Sequence, residues 1–257
     1  MASPRLIYRI SARLHAAAAH VYYRLAGGER RPVFFDPART MPALLEIDRN
    51  VDAIREELLA LLAERGRIPR YHEIDAKQAE IAPPGGEAWR TYMVQVHWAG
   101  ERLANRRACP RTAAVLDGIP DVIGGFFSIL EPGAEVPPHN GPAFWYLRYH
   151  TALVVPERDP PRLRVKDRWY TWKEGESVLF DDSWNHEVEN ASDGLRAVLV
   201  TDVLRPVPWP VSAFGRLLRR LRIPPRETWD DVLERFGLDD SHLRVPDPAA
   251  RPAGERE

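Results

Sequence analysis

Two histidines are the first candidates for chemistry, because both lie in places that core packing does not explain. His139 lies in EVPPHNGP, just after a predicted strand, and His186 lies in FDDSWNHEVEN, where it opens a late predicted strand. They are 47 residues apart (139 to 186), so they can meet only across a folded sheet. Neutral imidazole nitrogens bind iron, zinc or copper, and the pair alone does not select among these metals. The alternative is that both are ordinary surface or hydrogen-bonded histidines of a β protein.

An arginine ten residues beyond His186 favours a binding site. Arg196 stands inside the apolar strand-like run LRAVLV. A buried guanidinium without an anionic partner is costly, so this side chain needs one. A dicarboxylic co-substrate would match the planar fork of an arginine. The alternative partner is a nearby acid of the chain itself, with three aspartates as candidates: Asp181, Asp182 and Asp202.

Further polar residues interrupt the neighbouring apolar runs. Arg148 and His150 are two residues apart in YLRYHTALVV, so in a strand they point to the same face. Ser128 interrupts GGFFSIL. Several polar side chains on strands that flank two candidate ligands indicate the lining of a polar pocket inside a barrel.

The elements that would position these residues are short strands. From Trp89 onward, apolar residues alternate or form short runs that proline, glycine and acidic residues separate. The predicted strands are TYMVQVHW (91–98), GGFFSIL (124–130), YLRYHTALVVP (146–156), LRVKDRWYTW (163–172), SVLF (177–180) and LRAVLVTDVL (195–204). Helices followed by a run of short strands predict an α+β or a jelly-roll domain, mainly β with flanking helices. The predicted helices cover 4–25, 43–64, 211–222 and 228–236. The predicted organisation is an amphipathic helix (1–30), one domain (31–210, with its β core at 89–208), a helical segment (211–240) and a disordered tail (241–257).

The composition excludes several classes of function. The formal net charge is −1, so no global positive field attracts nucleic acid. The single cysteine, Cys109, excludes an intrachain disulfide and a CxxC metal knuckle, which suits a reducing cytoplasm. No stretch approaches the roughly 18 apolar residues of a membrane-spanning helix. We therefore expect a cytoplasmic protein without a nucleic-acid partner.

Residues 124–208 resemble the aspartyl/asparaginyl β-hydroxylase family of iron(II)- and 2-oxoglutarate-dependent oxygenases. Four pieces carry the resemblance in order: FFSILEPGAEVPPHNGP, LRYHTALVVP, WKEGESVLFDDSWNHEVEN and LRAVLVTDVLRPVPWP. It implies a double-stranded β-helix (a cupin-like jelly roll) with Fe(II), 2-oxoglutarate and O2 as cofactor and co-substrates. It implies His139 and His186 as the iron ligands. It also implies that 2-oxoglutarate is bound by Ser128, Arg148, His150 and Arg196, with Arg196 on its distal carboxylate.

One position departs from most oxygenases that use this co-substrate. They carry a carboxylate two residues after the first histidine, and Gly141 stands there in this chain. The family that the chain resembles lacks that carboxylate too. Water at the open position would give hydroxylation and chloride would give halogenation; the surrounding motifs favour hydroxylation.

The substrate is open between three hypotheses. LRYHTALVVP and DVLRPVPWPVSAFGRLLRRL resemble the bacterial branch that hydroxylates acyl chains of membrane lipids. The second hypothesis is a soluble hydroxylase of an aspartyl or asparaginyl group, and the third is a cupin-like binding protein without turnover. Basic amphipathic segments at both ends would suit peripheral contact with the inner membrane face. The alternative is that these segments pack on the domain.

Overall fold

Two antiparallel β-sheets form the body of the protein. The computed structural model describes residues 21–64, 66, 68–71, 88–96, 104–141 and 144–209. One sheet has six strands in the order β1-β8-β5-β10-β3-β2, and the other has four in the order β4-β9-β6-β7. The strands are β1 (Phe34–Phe35), β2 (Trp89–Val96), β3 (Val122–Leu130), β4 (Glu135–Asn140), β5 (Tyr146–Val154), β6 (Arg162–Val165), β7 (Arg168–Thr171), β8 (Ser177–Phe180), β9 (Asn185–Glu189) and β10 (Arg196–Leu204). The predicted mainly β, jelly-roll fold is confirmed.

Each long strand presents alternate residues to two different cores, because successive side chains of a strand point to opposite faces. In β5, Leu147, Tyr149 and Leu153 belong to the core on the outer side of the six-stranded sheet. Ala152 belongs to the core between the two sheets. His150 is on the same side, since its ring stacks on Trp172 of that inner core. The interior of the barrel therefore combines apolar residues with polar ones at matching parity.

Helices cover the outer face of the six-stranded sheet. They are α1 (Pro37–Thr40), α2 (Leu45–Arg49), α3 (Val51–Leu62) and α4 (Pro110–Gly118). The predicted single helix at 43–64 is two α-helices, because Asn50 leaves the helical conformation and its Nδ2 donates to Glu46 O at 2.8 Å. Helix α4 was not predicted. The first backbone amides of α4, Arg111 N and Thr112 N, donate to the Glu57 carboxylate of α3 at 2.8 Å and 2.9 Å.

The strand predictions were wrong in two places. The run LRVKDRWYTW is two strands, β6 and β7, because a tight turn at Lys166, with φ 55°, reverses the chain. His139 was expected just after a strand, but it lies within one, β4, which proline-rich EVPPHN did not suggest. The predicted helices at 211–222 and 228–236, and most of that at 4–25, lie outside the described residues; residues 21–26 are helical. Among the described residues, no helix is long and apolar enough to cross a membrane.

Candidate active site

The two candidate metal ligands are partners in the β4–β9 ladder. His139 pairs with His186, and Val136 pairs with Val188. Between these two pairs the chain advances three residues along β4 but only two along β9. One extra residue of β4 is therefore accommodated between Val136 and His139, as in a β-bulge. Simple alternation from inward-facing Val136 would turn His139 outward. The bulge brings the two imidazole rings together, with their centroids 4.1 Å apart.

Both imidazoles are held with the same nitrogen free. His139 Nδ1 lies 2.8 Å from Pro137 O, and His186 Nδ1 lies 2.9 Å from Trp184 O. A carbonyl only accepts, so each Nδ1 carries the proton and each Nε2 keeps a lone pair for a metal. Burial lowers the pKa of His139, and burial together with His139 lowers the pKa of His186 to about 3. Both rings are therefore neutral at physiological pH, which metal binding requires.

Position 141 has room only for glycine, because the Asp182 carboxylate occupies the space that a side chain would need. A Cβ at Gly141 would lie 2.5 Å from Asp182 Cγ, and Gly141 N donates to Asp182 O at 2.8 Å. The Asp182 carboxylate accepts from Tyr146 Oη at 2.7 Å and lies 3.3 Å from Arg148 Nη1. Burial raises the pKa of Asp182 to about 6. Within the described residues, no three His, Cys, Asp or Glu side chains are grouped to hold a metal.

Arg196 is the most unusual charge in the barrel. It is 2% exposed, and its side chain makes one hydrogen bond to the described residues, from Nη1 to Ser128 Oγ at 3.3 Å. Its Nε and Nη2 are buried and have no hydrogen-bond partner in the part of the chain that the structure describes. Burial lowers the pKa of Arg196 to about 9, so the guanidinium is still charged at neutral pH.

The aspartates that could have neutralised Arg196 are bound to other arginines. The Asp202 carboxylate accepts hydrogen bonds from Arg148 Nε at 2.8 Å and from Arg148 Nη2 at 2.9 Å, as a bidentate pair. Asp182 also contacts Arg148. The Nε and Nη2 edge that Arg148 uses to bind a carboxylate is thus the same edge that is unpartnered on Arg196. The third candidate, Asp181, binds Arg31 and Arg205. The alternative that Arg196 forms an ion pair with one of these three aspartates is therefore wrong.

A row of side-chain contacts along the inner wall of the barrel connects the two histidines with Arg196, and it passes through the predicted residue His150. His186 contacts Phe180, with ring centroids 6.0 Å apart, and Phe180 contacts His150 at 4.9 Å. His150 stacks on Trp172 at 5.9 Å, and Arg196 lies over Trp172 at 4.1 Å. Burial and the nearby arginines keep the pKa of His150 well below its usual value. The structure brings all six predicted site residues to one interior.

Sequence reasoning missed two tryptophans of this interior, Trp89 and Trp172, and it considered Asp182 and Asp202 only as possible partners of Arg196. Trp89 Nε1 donates to Ser128 Oγ at 3.0 Å, and Trp172 packs on Arg196. Inward parity on strands that neighbour the predicted polar residues would have selected Trp89 and Asp202. Nothing in the sequence separates Trp172 from an ordinary core tryptophan.

The loop between β8 and β9 is fixed by two buried arginines outside the ladder. Asp181 Oδ2 lies 3.1 Å from Arg31 Nε and 2.6 Å from Arg205 Nη2. The Arg31 guanidinium also lies 3.5 Å from the ring centroid of Trp184, whose carbonyl orients His186. Lys166 Nζ lies 3.8 Å from the centroid of the same ring. This arrangement holds the backbone that positions the second candidate ligand.

Comparison with known proteins assigns the chain to a family. The family model described as aspartyl/asparaginyl beta-hydroxylase matches residues 48–206. The ornithine lipid ester-linked acyl 2-hydroxylase of Rhizobium tropici is 34% identical over 193 residues, 75% of this chain and 67% of that protein. The human aspartyl/asparaginyl beta-hydroxylase is 36% identical over 110 residues, 40% of this chain. This chain spans only 14% of the human enzyme's length.

Solved structures align over about half of the chain. A cupin domain of an XRE family transcriptional regulator from Enterobacter cloacae covers 47% of the chain, with a TM-score of 0.31 and 16% identity. A predicted oxalate decarboxylase from Thermotoga maritima covers 49%, with a TM-score of 0.31 and 14% identity. The assignment of the fold rests on the strand order of the two sheets described above.

Proposed function

Because the chain belongs to the aspartyl/asparaginyl β-hydroxylase family, we propose that it is an iron(II)- and 2-oxoglutarate-dependent hydroxylase. The observation that carries the proposal is the pairing, in one barrel, of two neutral histidines with a buried guanidinium whose bidentate edge is unpartnered. A metal-ligating pair and an anion-binding fork are what this co-substrate requires. The histidines and Arg196 lie at opposite ends of one wall of side chains.

The residues fit an iron(II) centre. His139 and His186 would hold the metal through their Nε2 atoms, because each Nδ1 is committed to a backbone carbonyl. Bound iron would supply the activation of O2 that hydroxylation of an unactivated carbon needs. With two protein ligands, several coordination positions remain for the co-substrate and for O2. The chain's own contribution is to keep both imidazoles neutral, oriented and shielded from bulk water.

The residues also fit a dicarboxylate. Arg196 would bind the distal carboxylate through Nε and Nη2, with Ser128 beside its Nη1. Among the described residues, His150 Nδ1 and Trp172 Nε1 also have no hydrogen-bond partner although they are buried, so the interior suits an occupant with oxygen acceptors. The Arg148 guanidinium already binds the carboxylates of Asp202 and Asp182. Each of its terminal nitrogens still has an N–H to donate to the co-substrate.

We further propose an acyl chain of a bacterial membrane lipid as the substrate, with the protein in the cytoplasm and in peripheral contact with the inner membrane face. The relative named as an ornithine lipid acyl hydroxylase aligns with 75% of this chain. The human aspartyl/asparaginyl enzyme aligns with 40%. The second candidate, hydroxylation of an aspartyl or asparaginyl group, is favoured by the 36% identity in that shorter region.

The reaction class is tested by succinate release from 2-oxoglutarate in the presence of iron(II), ascorbate and a bacterial lipid extract. We expect release by the wild type and none by His139→Ala. Asn140→Ala is the matched control, because Asn140 is the neighbouring exposed residue of the same strand and should keep activity. Equal background release by the wild type and His139→Ala would contradict the proposal and favour a binding protein without turnover.

The substrate class is tested by offering an ornithine lipid and an aspartyl/asparaginyl peptide separately, with mass spectrometry as the readout. We expect a gain of one oxygen on an acyl fragment of the lipid. A gain on the peptide alone would replace the lipid proposal with the second candidate. Co-sedimentation with anionic vesicles tests the membrane contact, and a protein that stays in the supernatant would contradict it.

A further inference from the structure

The guanidinium of Arg196 is neutralised by no acid among the described residues, yet it is held in place. Its Cζ lies 4.1 Å from the ring centroid of Trp172, which is itself fully buried. The opposite arrangement exists in the same barrel. There Arg148 is fixed by the carboxylates of Asp202 and Asp182. The protein therefore fixes one interior arginine with acids and the other with an aromatic face.

The choice of partner decides which part of the guanidinium remains available. A carboxylate binds in the plane of the guanidinium and uses its N–H groups. An aromatic ring binds the flat face, through the attraction between a cation and the ring's π electrons, and leaves the in-plane N–H groups free. On Arg196 the unpartnered atoms are indeed the in-plane Nε and Nη2. Trp172 thus fixes the orientation of the fork without competing for it.

We propose that Trp172 is a positioning residue for the co-substrate: its indole takes the place of a carboxylate counter-ion beside Arg196 and keeps the fork open for the ligand. The inference rests on the proposed function, because it assumes a dicarboxylate at Arg196. It predicts that Trp172 affects the affinity for 2-oxoglutarate and leaves the affinity for the metal unchanged, since His139 and His186 are held by backbone carbonyls.

The test is calorimetry of 2-oxoglutarate binding to the Mn(II)-loaded protein without oxygen, beside a titration of Mn(II) into the metal-free protein. We expect Trp172→Leu to weaken 2-oxoglutarate binding by about tenfold, which corresponds to about 1.4 kcal/mol, with Mn(II) binding unchanged. Trp172→Phe retains a ring and should show a smaller loss, and it carries the test if the leucine variant does not fold. Trp172→Glu should weaken 2-oxoglutarate binding most, because an internal acid would compete for the fork.

Trp169→Leu is the matched control. Trp169 also packs against an arginine, with Arg162 Cζ 4.7 Å from its ring, but the pair is on the outer face of the hairpin and Trp169 is 46% exposed. It should bind 2-oxoglutarate as the wild type does. Equal loss of Mn(II) and 2-oxoglutarate affinity in the Trp172 variants, or no loss of either, would overturn the inference. A wild type that binds Mn(II) but no 2-oxoglutarate would overturn the proposed function, and this inference with it.

Discussion

Replacement of Arg196 by methionine should stabilise the empty protein while abolishing its response to 2-oxoglutarate. Methionine has an unbranched side chain that fills much of the same space without charge. In the wild type the guanidinium is 2% exposed, and with the described residues it makes one hydrogen bond, at 3.3 Å, and leaves two nitrogens unpartnered. A residue that only supported the fold would give the opposite result, because its loss would destabilise the protein.

The magnitude follows from the contacts that are lost and the costs that are removed. Each buried unsatisfied N–H group costs about 1–3 kcal/mol. The contact with Trp172 contributes about 2 kcal/mol, and the bond to Ser128 about 1 kcal/mol. Two unpartnered nitrogens cost the wild type about 2–6 kcal/mol, and the two contacts that are lost contribute about 3 kcal/mol. The free energy of unfolding of Arg196→Met should therefore lie between about 1 kcal/mol below and about 3 kcal/mol above that of the wild type, with its centre about 1 kcal/mol above. In a protein of this size, each kcal/mol shifts Tm by about 2–4 °C.

Addition of 2-oxoglutarate should reverse the order of stability. At a concentration one hundred times its Kd, a ligand stabilises the protein that binds it by about 2.7 kcal/mol. The wild type should gain this amount, and Arg196→Met should gain none. Thermal unfolding followed by circular dichroism, with Mn(II) and with or without 2-oxoglutarate, measures both effects. A variant that loses more than about 1 kcal/mol when empty, or that keeps the ligand-induced shift, would refute the reasoning.

Arg148→Met is the control for that measurement. Its removal would leave the Asp202 and Asp182 carboxylates without their partner in the barrel. Breaking a buried pair in this way costs about 3–5 kcal/mol. We expect this variant to be destabilised whether or not 2-oxoglutarate is present, so the two inner arginines should differ in the sign of their effect.

Two further predictions follow from close packing and from buried charge. Gly141→Asp should weaken Mn(II) binding in calorimetry and should not create a third ligand, because a Cβ there would lie 2.5 Å from Asp182 Cγ; tighter Mn(II) binding would show that the space can open. Asp181→Asn should lower the free energy of unfolding in urea by about 3 kcal/mol, since Arg31 and Arg205 would both lose their carboxylate; a loss below about 1 kcal/mol would mean that solvent already reaches this cluster.

The sequence was most informative where one physical rule decides the outcome. Alternation in YLRYHTALVV placed Arg148 and His150 on one face, and the register of β5 confirms it. The cost of burying a charge identified Arg196 as a ligand-binding candidate. The apolar stripe of 43–64 likewise predicted the helical cover, although the break at Asn50 depends on a local side-chain bond to Glu46.

Long-range choices were beyond the sequence. Three aspartates were equally plausible partners for Arg196, and the fold assigns all three elsewhere. The inward orientation of His139 depends on a bulge at two prolines, which interrupts the alternation that sequence analysis uses. The polarity of EVPPHN also concealed a strand that is held by pairing with β9. These features depend on which segments meet in the folded chain, and spacing along the chain does not record that.

The contacts of the β8–β9 loop show that the folded unit extends beyond the region that the family model matches. The family match begins at residue 48, but Arg31 is buried against Asp181 and Trp184, and β1 pairs with β8. A version trimmed to the matched region would lack β1 and Arg31. It would expose the β8 edge of the six-stranded sheet and would leave Asp181, in the loop before His186, with one of its two arginines. For bench work, the choice of starting residue thus becomes a decision about the active site as well as about solubility.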